Sequence, residues 1–291
     1  MILYFDNIIT DIPLFPGYYS ELDKIRESNS NYKFQDRLKV TMYTLESYAE
    51  IPWSQVIIKY EMDNKFGKKR KYFDKFIKKL WPKAHIIHGR SDNIQKFRET
   101  AKLINSFKDE WVFYAANNDH PFLAHNLNLL KKCMKKAEEL KNKYEFVSVV
   151  YSHFPEPLHM ARHGTPIHDI GFPSSKIFEE NNDFIIAYFP RGFTTSMQIV
   201  KKNLFNYWVY GREIGSATIK RLEDIYKFTP FKERKSQIII FPKGQLFAHF
   251  DGYSHNKGTG YLVPSSLVPP LFIPPGFFEK KIKIAYGYNK L

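Results

Sequence analysis

The sequence predicts an α/β protein: a mixed, mostly parallel sheet flanked by helices, followed by a more irregular second half. Three observations predict it. Short apolar runs bounded by turn-forming residues recur, as buried parallel strands do. Stretches with apolar residues at helical spacing alternate with those runs through the first half. The run Trp111-Val112-Phe113-Tyr114-Ala115-Ala116 stops abruptly at Asn117-Asn118-Asp119, as a central strand does where it gives way to a loop. Ligands of open α/β sheets collect just beyond the carboxyl ends of such strands.

In order along the chain, residues 2–5 read as a first strand ending at Asp6-Asn7, and Pro13 and Pro16-Gly17 mark the loop after it. Leu38, Met42, Leu45 and Ala49 recur at helical spacing, which predicts a helix over residues 36–50 ended by Pro52. Residues 55–60 form a second strand, followed by the acidic turn Glu61-Met62-Asp63-Asn64. Residues 68–81 predict a basic amphipathic helix with Phe73, Phe76, Ile77, Leu80 and Trp81 on one face. Such a helix docks on the sheet; the alternative is a helix lying on an anionic membrane surface. Residues 84–88 are a third strand. Asp92 and Gln95 form a capping-box-like start, and Ile94, Phe97, Ala101 and Ile104 continue as one helical stripe. After the strand at 111–116 comes a helix over 126–141 with Leu130, Cys133, Met134 and Ala137 inward, then a strand over 145–151.

The second half is less regular. Residues 155–173 are loop-rich and hold His159, His163 and His168, just after His153, at spacings that match no standard metal signature. Strands are expected over 183–189 and 194–200, joined by Pro190-Arg191-Gly192, and a helix over 202–208. Arg221-Leu222-Glu223-Asp224-Ile225 opens a further helix, since acidic residues suit a helix N-terminus. A strand over 237–241 precedes His249-Phe250-Asp251-Gly252-Tyr253-Ser254-His255. The tail from Val263 holds five prolines, Pro264, Pro269, Pro270, Pro274 and Pro275, and reads as an extended arm.

The chain has 291 residues and no internal repeat, which favours one continuous domain. Its aromatic fraction of 17% leaves rings over for a binding cleft once a core is filled. The single cysteine, Cys133, excludes an intrachain disulfide and a cysteine-based zinc site. The first residues carry no basic, then apolar, leader pattern and no stretch of about 18 apolar residues exists, so neither a signal peptide nor a membrane span is expected. A formal net charge of +14 attracts nucleic acid, an anionic membrane surface or phosphorylated substrates.

Three elements carry candidate chemistry: Asn117-Asn118-Asp119 after a strand, Glu223-Asp224 at a helix start, and His249 to His255 after a late strand. In this order and strand context they resemble the glycosyltransferases of the GT-A fold, the nucleotide-sugar-dependent class with a Rossmann-like half, family 2-like. EWVFYAANNDHPF resembles the central strand and short acidic motif of that class, RLEDIYKF its later Glu-Asp pair, and AHFDGYSH a late histidine ligand. The resemblance covers roughly residues 1–260, with 1–125 as the nucleotide-sugar half, 126–260 as the acceptor and catalytic half, and 261–291 as the arm.

The resemblance implies a hexosyl- or related transfer from a nucleotide-sugar to a glycan or lipid-linked acceptor, as in polysaccharide biosynthesis. It implies Asp224 as the base of an inverting transfer, supported by Glu223, and Mn²⁺ or Mg²⁺ held by Asp119 with His249 or His255. Asn117 stands where the family has an aspartate and is a weaker cation ligand; lysines and arginines that neutralise the diphosphate are the metal-free alternative. Asp6, Asn7, Glu61, Asp63, Arg90, Asn93, Asn117, Asn118 and Lys257 are candidate contacts to the donor, with Arg191 a further cation beside it. Thr194 to Gln198 would face the acceptor cleft. Tyr207, Trp208 and Tyr210 read as core aromatics, with sugar stacking the alternative. A cytoplasmic location is expected, peripheral at the inner membrane face, with no nucleic-acid partner. The rival readings are a nucleic-acid-binding protein or nuclease, which the charge and aromatics fit, and a non-catalytic sugar-binding protein of the same fold, which Asn117 suggests.

Overall fold

The computed structural model describes residues 1–9, 37–62, 67–89, 91, 94–116, 120–150, 176–189, 197–211, 235–244 and 246–247. Nine strands among them form one sheet: β1 (Ile2–Ile9), β2 (Gln55–Met62), β3 (His85–His88), β4 (Trp111–Ala115), β5 (Val147–Val150), β6 (Lys176–Glu180), β7 (Phe184–Phe189), β8 (Met197–Lys201) and β9 (Gln237–Pro242), in the order β3-β2-β1-β4-β8-β5-β9-β7-β6. The pairings β1–β2, β2–β3 and β1–β4 are parallel. Beyond β4 the expectation of a mostly parallel sheet is corrected: β4–β8, β5–β8, β7–β9 and β6–β7 are antiparallel and only β5–β9 is parallel. The sheet is mixed, as expected, but its eight described pairings are evenly divided between parallel and antiparallel.

Five α-helices among the described residues flank it: α1 (Arg37–Tyr48), α2 (Gly67–Leu80), α3 (Ile94–Ser106), α4 (Leu127–Leu140) and α5 (Lys202–Tyr210). Because successive side chains of a strand point to opposite faces, the two faces have separate cores. Leu3, Phe5, Ile58, Phe113 and Ile199 face Leu45 of α1, Phe73 and Ile77 of α2, and Leu130, Cys133 and Ala137 of α4. Ile2, Tyr4, Ile57, Val112 and Tyr114 face Phe97, Ala101 and Ile104 of α3 and Leu204, Phe205 and Trp208 of α5. Burying each of these large side chains stabilises the fold by about 1.5–3 kcal/mol. The basic helix thus docks on the sheet through its apolar stripe, as expected.

Several local expectations shift. β1 runs on through Asp6 and Asn7, so Asp6 lies within a strand rather than after it. Glu61 and Met62 belong to β2 and not to a turn. Ala49 is exposed beyond the end of α1, whose buried positions include the polar Thr41, Thr44 and Ser47. β6, which polar Lys176, Glu179 and Glu180 disguise in the sequence, pairs only with β7 at the sheet edge, where charged side chains discourage pairing with other chains. Among the described residues no helix is long and apolar enough to cross a membrane.

Candidate functional site

The chain passes from β1 through α1 to β2 and through α2 to β3, moving outward on one side of β1. It then returns through α3 to β4 on the other side. Between β1 and β4 the strand order reverses, and in open α/β sheets the ligand crevice forms outside the carboxyl ends of the strands at that point. Asp6 lies within β1, one residue past the level at which β4 ends. Its Cα partner on β2 is Lys59, while Phe5 is paired with Ala115, the last residue of β4.

Asp6 is buried, with 8% of its surface exposed. The Tyr4 hydroxyl donates to its Oδ2, and the Ser91 backbone N–H donates to Oδ1 at 3.4 Å. Ser91 Oγ lies 3.4 Å from Tyr4 Oη. Tyr4, Asp6 and Lys59 share the sheet face covered by α3, and Nζ of the buried Lys59 donates to the Lys96 carbonyl at 3.2 Å and to Thr100 Oγ1 at 3.1 Å, both on α3. Burial pushes the Asp6 carboxyl above its ordinary range, against hydrogen bonds from Ser91 and Tyr4 and the Lys59 charge, which pull it down. Burial, together with the Asp6 charge, pushes the Tyr4 phenol well above its ordinary value.

This cluster lies beside the ends of β3 and β4. Gly89 at the end of β3 takes φ +105°, a conformation that glycine adopts without the steric cost a Cβ brings, and its N–H donates to the Tyr60 carbonyl at 2.8 Å. That turn delivers Ser91 to Asp6. On the other sheet face Asn7 Nδ2 donates to the Ala116 carbonyl at 2.5 Å, fixing the end of β4 just before Asn117. Past the motif the chain is held again: Tyr48 Oη of α1 donates to the His120 carbonyl at 3.1 Å, and the Phe122 N–H donates to Ser47 Oγ at 2.7 Å. Phe122 forms an antiparallel bridge with Phe247, and the Leu123 N–H donates to the Leu246 carbonyl at 2.9 Å. The stretch leading to His249 therefore runs beside the stretch leaving Asp119.

Of the candidate catalytic, metal-ligand and donor-contact residues, Asp6, Asn7 and Glu61 alone are described. Asp63, Arg90, Asn93, Asn117, Asn118, Asp119, Arg191, Glu223, Asp224, His249, His255 and Lys257 lie outside the described residues. The topology nevertheless orders their starting points. β1 to β4, β5 and β9 all point the same way, because β8 is antiparallel to both β4 and β5, and β9 is parallel to β5. Asp63, Arg90 and Asn117 thus follow strands that end at one edge, and the histidine segment follows a fourth such strand, β9. Gln198, expected to face an acceptor, is instead fully buried and donates to Ser148 Oγ at 2.8 Å, which also accepts from Gln237 Nε2 at 2.6 Å. Trp208 is a core residue, as expected, and Tyr210 is partly exposed beside Arg98.

Sequence reading misses Tyr4, Lys59 and Ser91. The available signal is a lysine inside the apolar run Val56–Tyr60 and a tyrosine two positions before an aspartate, the spacing that puts both side chains on one strand face. Among the described residues no group of three or more His, Cys, Asp or Glu side chains is arranged to hold a metal ion. No protein-family model matches the chain, and no curated protein matches it in sequence.

Proposed function

We propose that the chain is a GT-A-type glycosyltransferase that moves a sugar from a nucleotide-sugar donor to a glycan or lipid-linked acceptor hydroxyl. One observation supports this reading: β1, β2, β3, β4 and β9 point the same way and so end at one edge of the sheet, β1 and β4 flank the point where the strand order reverses, and each of the five bears or precedes a candidate donor or metal residue. In this reading the nucleoside lies across the ends of β1 and β4. Asp6, already engaged by Tyr4 and Ser91, acts as a positioning residue that holds the turn carrying Arg90 and Asn93. The diphosphate sits past β4, where Asp119, His249 and His255 are the proposed ligands of Mn²⁺ or Mg²⁺, with Lys257 beside them. A divalent cation there would stabilise the charge that builds on the departing diphosphate. Asp224, supported by Glu223, takes the proton of the attacking hydroxyl.

A panel of UDP-, GDP- and CMP-sugars read by thermal shift, with and without Mn²⁺, tests the reading. One donor should raise the melting temperature and slowly release nucleoside diphosphate. Asp119→Ala should abolish the Mn²⁺-dependent part of the shift. Asp224→Asn should keep the shift and lower transfer by about 10²–10⁴-fold, the usual contribution of a general base. Normal transfer by Asp224→Asn would remove that residue from its role. Absence of any donor shift, with salt-sensitive binding to single-stranded nucleic acid, would reject glycosyl transfer altogether.

A further inference from the structure

Residues 67–83, comprising α2 and the turn after it, hold eight basic residues against one acid, so half of the chain's formal net charge of +14 sits there. The apolar side of α2 is spent on the core: Phe73 and Ile77 are fully buried, and Phe76, Leu80 and Trp81 are half-buried against the same cluster. The opposite side shows Lys71, Tyr72, Lys75, Lys78 and Lys79, with Lys83 just beyond, all exposed, and Tyr72 at 60% is the most open of the large apolar side chains described.

The contrast with α4 makes this charge informative. There Lys132 pairs with Asp183 at 2.7 Å and Lys136 with Glu179 at 2.7 Å, while Lys141, just past the helix, pairs with Glu138 at 2.7 Å. On α2, Lys71, Lys75, Lys79 and Lys83 enter no ion pair among the described residues. The single acid, Asp74, is turned aside to accept from Tyr60 Oη at 2.7 Å and to meet His88 Nε2 at 3.1 Å.

We infer that this outer face of α2 docks on an anionic lipid bilayer. Fourteen residues give a helix about 21 Å long, and the lysines repeated at 71, 75 and 79 on its outer side meet a plane together. A tyrosine set among them suits the headgroup layer, where an amphipathic ring has an apolar body and a polar tip satisfied together. Single-stranded nucleic acid asks for stacked aromatic platforms, and among the described residues this face shows one exposed ring, Tyr72. Since the apolar stripe is occupied, the helix does not insert; attraction is electrostatic and screened by salt. The inference stands on charge and packing and is independent of the glycosyl-transfer reading.

The full chain is sedimented with vesicles of phosphatidylcholine alone and of equal parts phosphatidylcholine and phosphatidylglycerol, at low and high salt. It should bind only the anionic vesicles and leave them at high salt. Lys71→Gln/Lys75→Gln/Lys79→Gln should bind roughly a hundredfold more weakly while keeping the wild-type urea midpoint, since all three side chains are exposed. Equal binding to both vesicle types, binding to neither, or an unchanged triple variant would overturn the inference. So would polyuridylate that binds through the same lysines more tightly than the vesicles do.

Discussion

Asp6 has its protonation set by its neighbours rather than by water. Its folded-state pKa is raised, so the native chain holds that proton more tightly than the unfolded chain does. The stability it contributes is present at low pH and is lost as pH rises from the ordinary carboxylate value through the raised one. Asp6→Asn should remove that part of the pH dependence, seen as a flatter series of urea midpoints across acid to neutral pH. Tyr4→Phe removes a hydrogen bond to a charged group and should cost about 1.5–3 kcal/mol. It should also push the Asp6 pKa further up, because that bond is among the forces lowering it. At this scale the sequence was half legible. An aspartate following an apolar run points to the carboxyl end of a strand, but nothing local reveals that its partners are a tyrosine two residues back and a serine 85 residues on. Those partners are supplied by the crossover geometry.

Elements bring candidate residues together by fixing the chain on either side of them. Ser47 is the clearest case: on the buried side of α1 it donates to the Thr44 carbonyl at 2.7 Å and accepts from the Phe122 N–H. Ser47→Ala leaves the Phe122 N–H buried without that acceptor, at a cost of about 1–3 kcal/mol in urea denaturation. If the donor reading holds, the same variant should weaken donor binding, since it loosens the return of the chain after Asp119. The helices and parallel strands of the first half were readable because each has a period and a terminator of its own. Thr41, Thr44 and Ser47 were not readable as inward positions, since small polar residues on a helix look like solvent face until a partner backbone claims them. β6 escaped for the related reason that an edge strand needs only one apolar side. Gln198 looked like a ligand-facing polar residue and is part of an internal Gln198–Ser148–Gln237 network.

Across the whole molecule, the sheet grades from a parallel first half to a mixed second half, and only the first follows from alternating strands and helices. The antiparallel entry of β8 between β4 and β5 has no sequence signature, because a buried strand reads the same in either direction. Backbone amide exchange should be slowest in β1, β4 and β8, which are paired on both sides and buried, and faster in the edge strands β3 and β6. Exchange as fast in β4 as in β3 would contradict the observed strand order. The Phe122–Phe247 bridge bears on how such a chain is rebuilt or diversified. Two stretches 125 positions apart behave as one cassette: transplanting the stretch around Phe122 into another scaffold without its distant companion would strand the Phe122 ring and the Leu123 N–H, so recombination that respects this protein must move both together.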